Sequence, residues 1–348
     1  MGDKRRCTPI YINSRKWLLK LHERTEQLTY WNFTRPIYLL QEVIVIVCIG
    51  NPVYDLIHTP YISTNGRVLS GCSTNACLAL AKLGEQTVMV GNVGGDFRGQ
   101  LTKEIGAYGI KSYIKVSKET GGFKLIYDKR GNRTLEVLGI ADPIREVPNW
   151  LTKADWVLFG PVMGEIGLDL VRRAREKTGA PFFLDPQGIV RQLNGQGLVT
   201  LYFNPDLWQI IPFFEVVKAN EQEANIITGI DPRRDPYAAV LEMHKYGCRV
   251  AIVTLAEEGS IIYDGNKFYR IPAYPTVAVD PTGAGDVYAA GFMYRYIRNG
   301  GDLLDAGCFA SCAASIMVEH CGPAFPLKLI EIERRMQKLM ERMGNGNF

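Results

Sequence analysis

Short apolar runs alternate with helical stretches along most of this sequence. Six runs have the length of strands: 43–49, 87–90, 156–159, 182–184, 216–217 and 250–253. Segments with helical spacing of apolar residues lie between them, among them 74–83, 168–177 and 238–246. Because parallel strands need crossover helices, this alternation predicts an α/β fold, a mostly parallel central sheet with helices on both faces. With 348 residues, 47% of them hydrophobic, the chain can bury a large core.

Residues 280–286, Asp-Pro-Thr-Gly-Ala-Gly-Asp, combine a glycine-rich turn with a carboxylate. The preceding run 268–279 alternates like a strand, and 287–294 is apolar at helical spacing, so the turn is predicted to open a buried helix. Unpaired N–H groups at a helix start favour an anion, and Asp286 could take a proton from an attacking hydroxyl. The alternative is that Gly283 and Gly285 only shape a loop and Asp286 only caps the helix.

Segment 280–286, followed by Ala-Gly-Phe at 290–292, resembles the C-terminal signature of the ribokinase family, also called PfkB carbohydrate kinases. Other segments resemble further marks of that family in the expected order, and together they span about residues 43–327. They are Gly50 to Asp55 after the first strand, Ser70 to Ala76, 91–99, Asn-x-x-Glu at 220–223, and 254–259, which resembles Thr-x-Gly-x-x-Gly. Two positions depart from the family pattern, since Ser70 and Ala256 stand where glycine is usual.

The resemblance implies a ribokinase-like fold with a small β lid, and it implies a role for each matching residue. Asp286 is the expected general base, and the anion hole is expected at the amides of Gly283, Ala284 and Gly285. The residues expected to hold the substrate are Asp55, Gly71 and Asn75. The expected nucleotide site contains Asn220, Glu223, Thr254, Gly259 and Gly322, with Glu223 holding magnesium through water. Asp280 and Thr282 are the expected oxygen ligands of a potassium ion, which some members bind.

We therefore predict a kinase that uses ATP and Mg²⁺, with K⁺ as a further ion, and phosphorylates a hydroxyl of a sugar or sugar acid. A nucleoside kinase of the same family is the first alternative, with Phe97, Phe123 or Tyr127 as an aromatic clamp for a base. Arg191 could replace the cation of the Asp-Pro-Asn-x-Arg motif that sugar-acid relatives carry. A sugar- or nucleotide-sensing protein without catalysis is the second alternative.

The domain prediction divides the chain into three parts. Residues 1–42 form an extension, residues 43–327 the kinase domain with lid segments at 56–71 and 111–138, and residues 328–348 a C-terminal helix and tail. A hairpin turn is expected at 129–132. The extension carries eight Lys or Arg and four acidic residues. Its net charge is therefore +4, the same as the net charge of the whole chain. A docking arm, a mitochondrial-type targeting segment and translated sequence upstream of the true start are its three interpretations.

The charge, apolar stretches and Cys and His content of the chain limit the kinds of partner that it can bind. The chain beyond residue 42 is neutral, which argues against a nucleic-acid face on the kinase domain. No uninterrupted apolar stretch has the length of a signal peptide or membrane span, so we expect a cytoplasmic protein. Eight cysteines without a Cys-x-x-Cys pair and four histidines without metal spacing argue against a zinc site. Lid strands of this family sometimes pair edge to edge, so a monomer or a homodimer is expected.

Overall fold

The computed structural model describes residues 43–128 and 133–344, so the predicted extension 1–42 and the turn 129–132 lie outside the described residues. The strands are β1 (Val45–Ile49), β2 (Val53–His58), β3 (Val68–Ser70), β4 (Gln86–Gly94), β5 (Lys111–Ser117), β6 (Gly122–Tyr127), β7 (Arg133–Gly139), β8 (Trp156–Phe159), β9 (Phe182–Leu184), β10 (Arg191–Leu193), β11 (Val199–Leu201), β12 (Val216–Asn220), β13 (Val250–Thr254), β14 (Ser260–Tyr263) and β15 (Phe268–Ile271). The α-helices are α1 (Cys72–Lys82), α2 (Arg98–Gly106), α3 (Leu168–Lys177), α4 (Leu207–Ile210), α5 (Glu221–Thr228), α6 (Pro236–Lys245), α7 (Ala284–Arg298), α8 (Leu303–Met317) and α9 (Leu329–Gly344).

A nine-stranded sheet forms the centre of the described fold, in the order β15-β14-β13-β12-β9-β8-β1-β4-β5. Every pair from β13 to β5 is parallel, and β14 and β15 add an antiparallel edge. Parallel strands end at the same edge of the sheet, and ligands in such folds bind beyond that edge. The carboxyl ends of β9, β12 and β13 therefore bring residues from distant parts of the chain to one place.

The central strands of the large sheet are buried on both faces, as their continuous apolar sequences predict. Alternate residues of β1 point to opposite sides: Ile46 and Cys48 pack with α1, α7, α8 and α9, whereas Val47 and Ile49 pack with α3, α5 and α6. All four side chains are fully buried. Each buried aliphatic side chain of this size contributes roughly 1.5–3 kcal/mol, so the two helical layers stabilise the position of every strand end.

A four-stranded sheet, in the order β3-β2-β6-β7, stands apart from the large one. It contains parts of both predicted lid segments, and β6 and β7 form the predicted antiparallel hairpin. The first part of segment 111–138 lies elsewhere, because residues 111–117 pair with β4 along seven positions as the edge strand of the large sheet. The sequence alone does not distinguish these two partners, since most residues of β5 are exposed and give no clear apolar face.

The prediction of a strand over 268–279 is wrong beyond Ile271. Only Phe268–Ile271 pairs with β14, and the chain from 272 to 279 is irregular. Pro272 and Pro275 lack the N–H group that a strand donates to its neighbour, which explains why pairing stops there. No α-helix within 43–128 or 133–344 is long and apolar enough to cross a bilayer.

Candidate active site

Asp286 lies in the first turn of α7, and its side chain makes no capping hydrogen bond there. Instead its Oδ2 accepts a hydrogen bond of 2.8 Å from Nδ2 of Asn75 on α1. Burial raises the pKa of Asp286, and the negative charge of Asp185 raises it further. The alternative of a helix-capping Asp286 is therefore wrong, and the carboxylate has the environment of a base.

The turn before α7 has the conformation that an anion-binding loop needs, with one difference from the prediction. Gly283 has φ +85°, and a Cβ there would lie 2.9 Å from Nδ2 of Asn75. A side chain at 283 would thus displace the donor that holds Asp286. The N–H groups of Gly283 and Gly285 have no acceptor among the described residues, whereas the N–H of Ala284 donates to the Pro281 carbonyl at 3.2 Å. The available donors are thus Gly283 and Gly285.

A buried ion pair lies beside this turn. Nζ of Lys218 on β12 is 2.5 Å from Oδ2 of Asp185, which follows β9, and both side chains are 3% exposed. The same Nζ lies 3.4 Å from the carbonyl oxygen of Gly285. Burial alone would lower the pKa of Lys218, but the carboxylates around it, Asp185 first, hold that pKa above its ordinary value. Lys218 is therefore a permanent positive charge at the start of α7.

Asp185 also lies close to Asp286. The Cys72 sulfur and carboxylate oxygens of Asp185 and Asp286 all lie within 4.8 Å of one another. Sequence reasoning gave Cys72 no role, because a cysteine in an apolar helix usually packs in the core. Its position directly after Gly71, within the segment Ser70 to Ala76 that resembles a mark of the family, was the available signal.

Asp55 is buried, but it lies inside β2 of the small sheet and not directly after β1 as predicted. Its Oδ1 accepts a hydrogen bond of 2.7 Å from the N–H of Phe123. Burial raises the pKa of Asp55 to about 6. Hydrogen bonds from Ser70 and Phe123 lower this pKa and so oppose part of the effect of burial. The serine that replaces the usual glycine at position 70 therefore has a contact of its own.

Gly71 and Asn75 lie at the start of α1. Gly71 directly precedes the helix, and its carbonyl accepts a hydrogen bond of 2.8 Å from the N–H of Asn75. Asn75 is a buried residue within the first turn, so it does not cap the helix. The α-helical spacing instead directs its amide group to Asp286.

Asn220 and Glu223 form a capping box at the start of α5. The Asn220 side chain accepts from the N–H of Glu223 at 2.9 Å, and Oε2 of Glu223 accepts from the N–H of Asn220 at 2.9 Å. Glu223 is only 3% exposed, so it is not an ordinary solvated helix residue. Burial raises the pKa of Glu223 to about 7, and the charge of Asp185 adds to this. A carboxylate so placed readily takes a nearby cation.

Three further residues were predicted to line the nucleotide site. Thr254 ends β13 directly opposite Asn220 in the strand pairing, at the expected edge of the sheet. Gly259 has φ +92°, and a Cβ there would lie 2.0 Å from the carbonyl oxygen of Ile271, so only glycine fits. Gly322 lies in the loop after α8 and has no hydrogen bond to the other two among the described residues.

Ala256, which replaces a family glycine, has φ +48°, the only positive value of a non-glycine residue in the described ranges. We expect Ala256→Gly to raise the free energy of unfolding by up to about 1 kcal/mol, because a side chain in the left-handed region costs roughly 1–2 kcal/mol. The measurement is urea unfolding of both proteins. Ala314→Gly within α8 is the control and should lower stability by about 1 kcal/mol; equal losses in both variants would contradict the strain.

Asp280 and Thr282 contact each other and are both buried. Oδ1 of Asp280 accepts a hydrogen bond of 2.9 Å from the N–H of Thr282. Oδ2 of Asp280 is buried with no hydrogen-bond partner among the described residues. An unpaired buried carboxylate oxygen is unfavourable without a cation, so this oxygen fits the predicted potassium ion.

Two hydrogen bonds connect the small sheet, and the residue that follows β2, to the segment before α7. The hydroxyl groups of Tyr127 and Thr282 lie 2.9 Å apart, and the Thr59 hydroxyl donates to the Val279 carbonyl at 3.2 Å. The aromatic residues considered as a base clamp pack within the protein: Phe97 stacks on Tyr54, and Phe123 is buried. The small sheet is therefore in contact with the segment that leads into α7.

A family model described as pfkB family carbohydrate kinase matches residues 44–329. The chain belongs to this family. This PfkB kinase is 28% identical to a cytidine kinase of Thermococcus kodakarensis, over 73% of the chain and 88% of that relative. It is 30% identical to a nucleoside kinase of Methanothermobacter thermautotrophicus, over 72% of the chain and 79% of that relative.

Solved structures support the same fold. A pyrophosphate-dependent kinase of the ribokinase family, complexed with a pyrophosphate analog and myo-inositol, superposes with a TM-score of 0.72 at 20% identity, over 84% of the PfkB kinase and 100% of the neighbour. The ribokinase-like fold, the family and the enzyme class, a phosphotransferase with an alcohol group as acceptor, are thus confirmed.

Proposed function

We propose that this PfkB kinase transfers the γ-phosphoryl group of ATP to a hydroxyl of a sugar or sugar acid. One observation carries the proposal: a carboxylate of raised pKa, Asp286, is held by the Asn75 amide directly beside the two unpaired N–H groups of Gly283 and Gly285. A base and an anion site so close together suit transfer of a phosphoryl group to a hydroxyl.

In this mechanism each group has a separate task. Asp286 accepts the proton of the acceptor hydroxyl, whose oxygen forms the new bond to the γ-phosphorus while ADP leaves. The N–H groups of Gly283 and Gly285, with the dipole of α7, stabilise the negative charge on the transferred group. Asp55 and Asn75 orient the acceptor. The small sheet excludes water, which would otherwise compete with the acceptor.

The side-chain oxygens of Glu223, Asp280 and Thr282 fit the ions that the family implies. Each carboxylate oxygen of Glu223 accepts a bond from Asn220 and retains a second lone pair for a water molecule of magnesium. Magnesium would neutralise the charge of the donor phosphates. Asp280 and Thr282 would hold potassium, because Oδ2 of Asp280 is buried and unpaired among the described residues. The remaining nucleotide contacts are assigned to Thr254, Gly259 and Gly322.

A nucleoside kinase is the second candidate. The names of the relatives from Thermococcus and Methanothermobacter favour it, since both act on nucleosides. The aromatic side chains that would clamp a base are engaged otherwise, because Phe97 stacks on Tyr54 and Tyr127 bonds to Thr282. These contacts favour a polyhydroxylated acceptor. A cytoplasmic location, a monomeric or homodimeric state and the domain boundaries stay predictions.

The test is ADP release from magnesium-ATP across a panel of sugars, sugar acids and nucleosides. Turnover with sugars or sugar acids supports the first proposal, and turnover with nucleosides alone supports the second. Binding of ATP without turnover on any compound would favour the sensing role. The same assay with and without KCl, with Asp280→Asn as a comparison, tests the potassium ion.

The pKa of Asp55, about 6, predicts how acceptor binding depends on pH. A carboxylate accepts hydrogen bonds from acceptor hydroxyls only when it is deprotonated, so KM for the acceptor should rise as the pH falls below about 6. We expect a roughly tenfold increase for each pH unit below that value. Steady-state kinetics between pH 5 and 8 measure it. Asp55→Asn should give a high KM without this slope; an unchanged slope would assign the titration to another group.

A further inference from the structure

Lys82, the last residue of α1, connects this helix to the loop 318–326, which lies between α8 and α9. Its Nζ donates to the Pro323 carbonyl at 2.5 Å and to the Phe325 carbonyl at 2.7 Å, and it lies 3.6 Å from the centre of the Phe325 ring. Burial lowers the pKa of Lys82 to about 8. A half-buried ammonium group costs free energy, which an apolar side chain at this position would avoid.

The loop has few other polar attachments near these carbonyls. Two residues of 321–326 are prolines, which have no N–H group to donate. Within 321–326 only the Phe325 carbonyl has a backbone partner among the described residues, the N–H of Leu327 at 3.0 Å. The Pro323 carbonyl has Lys82 as its only described donor. Lys82 is therefore the main polar attachment of this part of the loop.

The other end of the loop is bonded to the segment before α7. The Val318 carbonyl accepts hydrogen bonds from the N–H of Val279 at 2.7 Å and from the N–H of Asp280 at 3.1 Å. Gly322, which is assigned to the nucleotide, lies between Val318 and the carbonyls that Lys82 holds. The residues around Gly322 are thus fixed at one end by the segment before α7 and at the other end by α1.

Helix α1 also holds the proposed base at its first turn. Asn75, whose amide donates to Asp286, lies seven residues before Lys82, which is two helical turns or roughly 10 Å along the axis. Residues 72–80 of α1 are all buried, so the surrounding core keeps the helix in one position. One rigid helix therefore sets the distance between Asp286 and the loop.

We propose that Lys82 is the positioning residue of a nucleotide-binding loop, residues 318–326, which it holds in place relative to Asp286. Lys82 itself contacts no substrate and acts through the loop. The N–H groups of Cys321 and Gly322 have no acceptor among the described residues, so they are available to acceptor atoms of the nucleotide. The inference deepens the proposed kinase function and rests on it.

The first test measures binding of magnesium-AMP-PNP, a non-hydrolysable ATP analogue, to the full chain by calorimetry. Lys82→Met should weaken binding about tenfold, and Lys82→Arg should restore most of the affinity, because a guanidinium can donate to both carbonyls. Lys82→Gln, which keeps one donor group, replaces Lys82→Met if that variant does not fold. Lys177→Met is the matched control and should bind like the unmodified chain. Lys177 is likewise the last residue of its helix, and its Nζ donates to the Val147 carbonyl at 2.7 Å.

The outcomes of this test separate Lys82 from the kinase function. Equal affinities in Lys82→Met and in the unmodified chain would overturn the proposal and leave the kinase function intact. An equal loss of affinity in Lys177→Met would also overturn it, since any lysine at a helix end would then have the same effect. If the unmodified chain binds no AMP-PNP, ATP is not the donor, and the nucleotide role of the loop is refuted with it.

Hydrogen exchange of the unmodified chain tests the loop without any substitution. Peptides that contain 319–325 should exchange rapidly in the free protein, because the N–H groups of Cys321 and Gly322 are unpaired among the described residues. Magnesium-AMP-PNP should slow this exchange several-fold. Exchange that the nucleotide leaves unchanged in these peptides would overturn the proposal.

Steady-state kinetics with the acceptor found in the panel distinguish positioning of the nucleotide from an effect on the base. In Lys82→Met the KM for ATP should rise about tenfold while kcat stays within twofold, because the bond between Asn75 and Asp286 is unchanged. Lys82→Arg should return the KM toward its original value. A lower kcat at unchanged KM would mean that Lys82 acts on Asp286, and it would overturn the proposal.

Discussion

Asp286→Asn is expected to lower kcat by about 10²–10⁴-fold, the contribution typical of a positioned general base. The substitution keeps the size and shape of the side chain, and the amide still reaches Nδ2 or Oδ1 of Asn75 in one of its orientations. What it removes is the capacity to accept a proton from the acceptor hydroxyl. KM for ATP should stay within a few fold, because the N–H groups of Gly283 and Gly285 remain.

The measurement is ADP release at saturating acceptor, together with ATP binding by calorimetry. Asp206→Asn serves as the matched control, since Asp206 precedes a helix, is exposed and makes no capping bond with its side chain. The control should leave kcat unchanged. Turnover of Asp286→Asn close to that of the control would remove Asp286 from the base role and favour proton transfer to water.

The pH dependence of kcat is a second test of Asp286 as the general base. Asp286 acts as a base only when deprotonated, and burial together with Asp185 raises its pKa. The rate should therefore rise with pH through a value above the ordinary pKa of an aspartate. The fall of kcat at acidic pH, its acidic limb, should disappear in Asp286→Asn. The pH dependence of the acceptor KM, which we assign to Asp55, should persist.

Segments with a clear local signal were predicted well from the sequence. The strands at 156–159 and 182–184 and the helix at 168–177 have the predicted bounds, because apolar spacing, glycine and proline mark their ends. The catalytic turn is equally local, since glycine at 283 and the start of α7 follow from adjacent residues. In such segments the interactions that decide the structure lie within a few residues of one another.

Long-range pairing accounts for the parts that sequence reasoning did not find. Lys218 meets Asp185 because β12 is the neighbour of β9 in the sheet, an order that no local pattern encodes. Residues 111–117 joined the large sheet, although the rest of their predicted segment formed the small one. The Tyr127 hydroxyl on β6 reaches Thr282 before α7, a contact that depends on how the small sheet packs against that turn.

Lys218→Met is expected to lower the free energy of unfolding by about 3–5 kcal/mol, because it leaves Asp185 buried without its counter-ion. Both side chains are 3% exposed and 2.5 Å apart, so water cannot screen the remaining charge. Lys218→Met with Asp185→Leu should recover most of the loss, since the pair is then replaced by apolar groups of similar volume. Urea unfolding of the four proteins gives the coupling free energy as a double-mutant cycle.

Lys245→Met is the matched control for this cycle. Lys245 lies 2.8 Å from Glu242, but its side chain is 60% exposed, so loss of this pair should cost at most about 1 kcal/mol. Equal losses in Lys218→Met and Lys245→Met would show that the buried pair is screened in solution. A double variant as unstable as Lys218→Met alone would show that packing and not charge explains the loss.

The same substitution should change catalysis in a direction that stability alone does not predict. Asp185 raises the pKa of Asp286 and of Glu223, and Lys218 lowers both. Without Lys218 the three carboxylates lie together with no described cation in an ion pair with them, so the pKa of Asp286 should rise further. The acidic limb of kcat should then move to higher pH in Lys218→Met and return toward its original position when Asp185→Leu is added. A limb that stays in place in Lys218→Met would mean that the charge of Lys218 does not affect the pKa of Asp286.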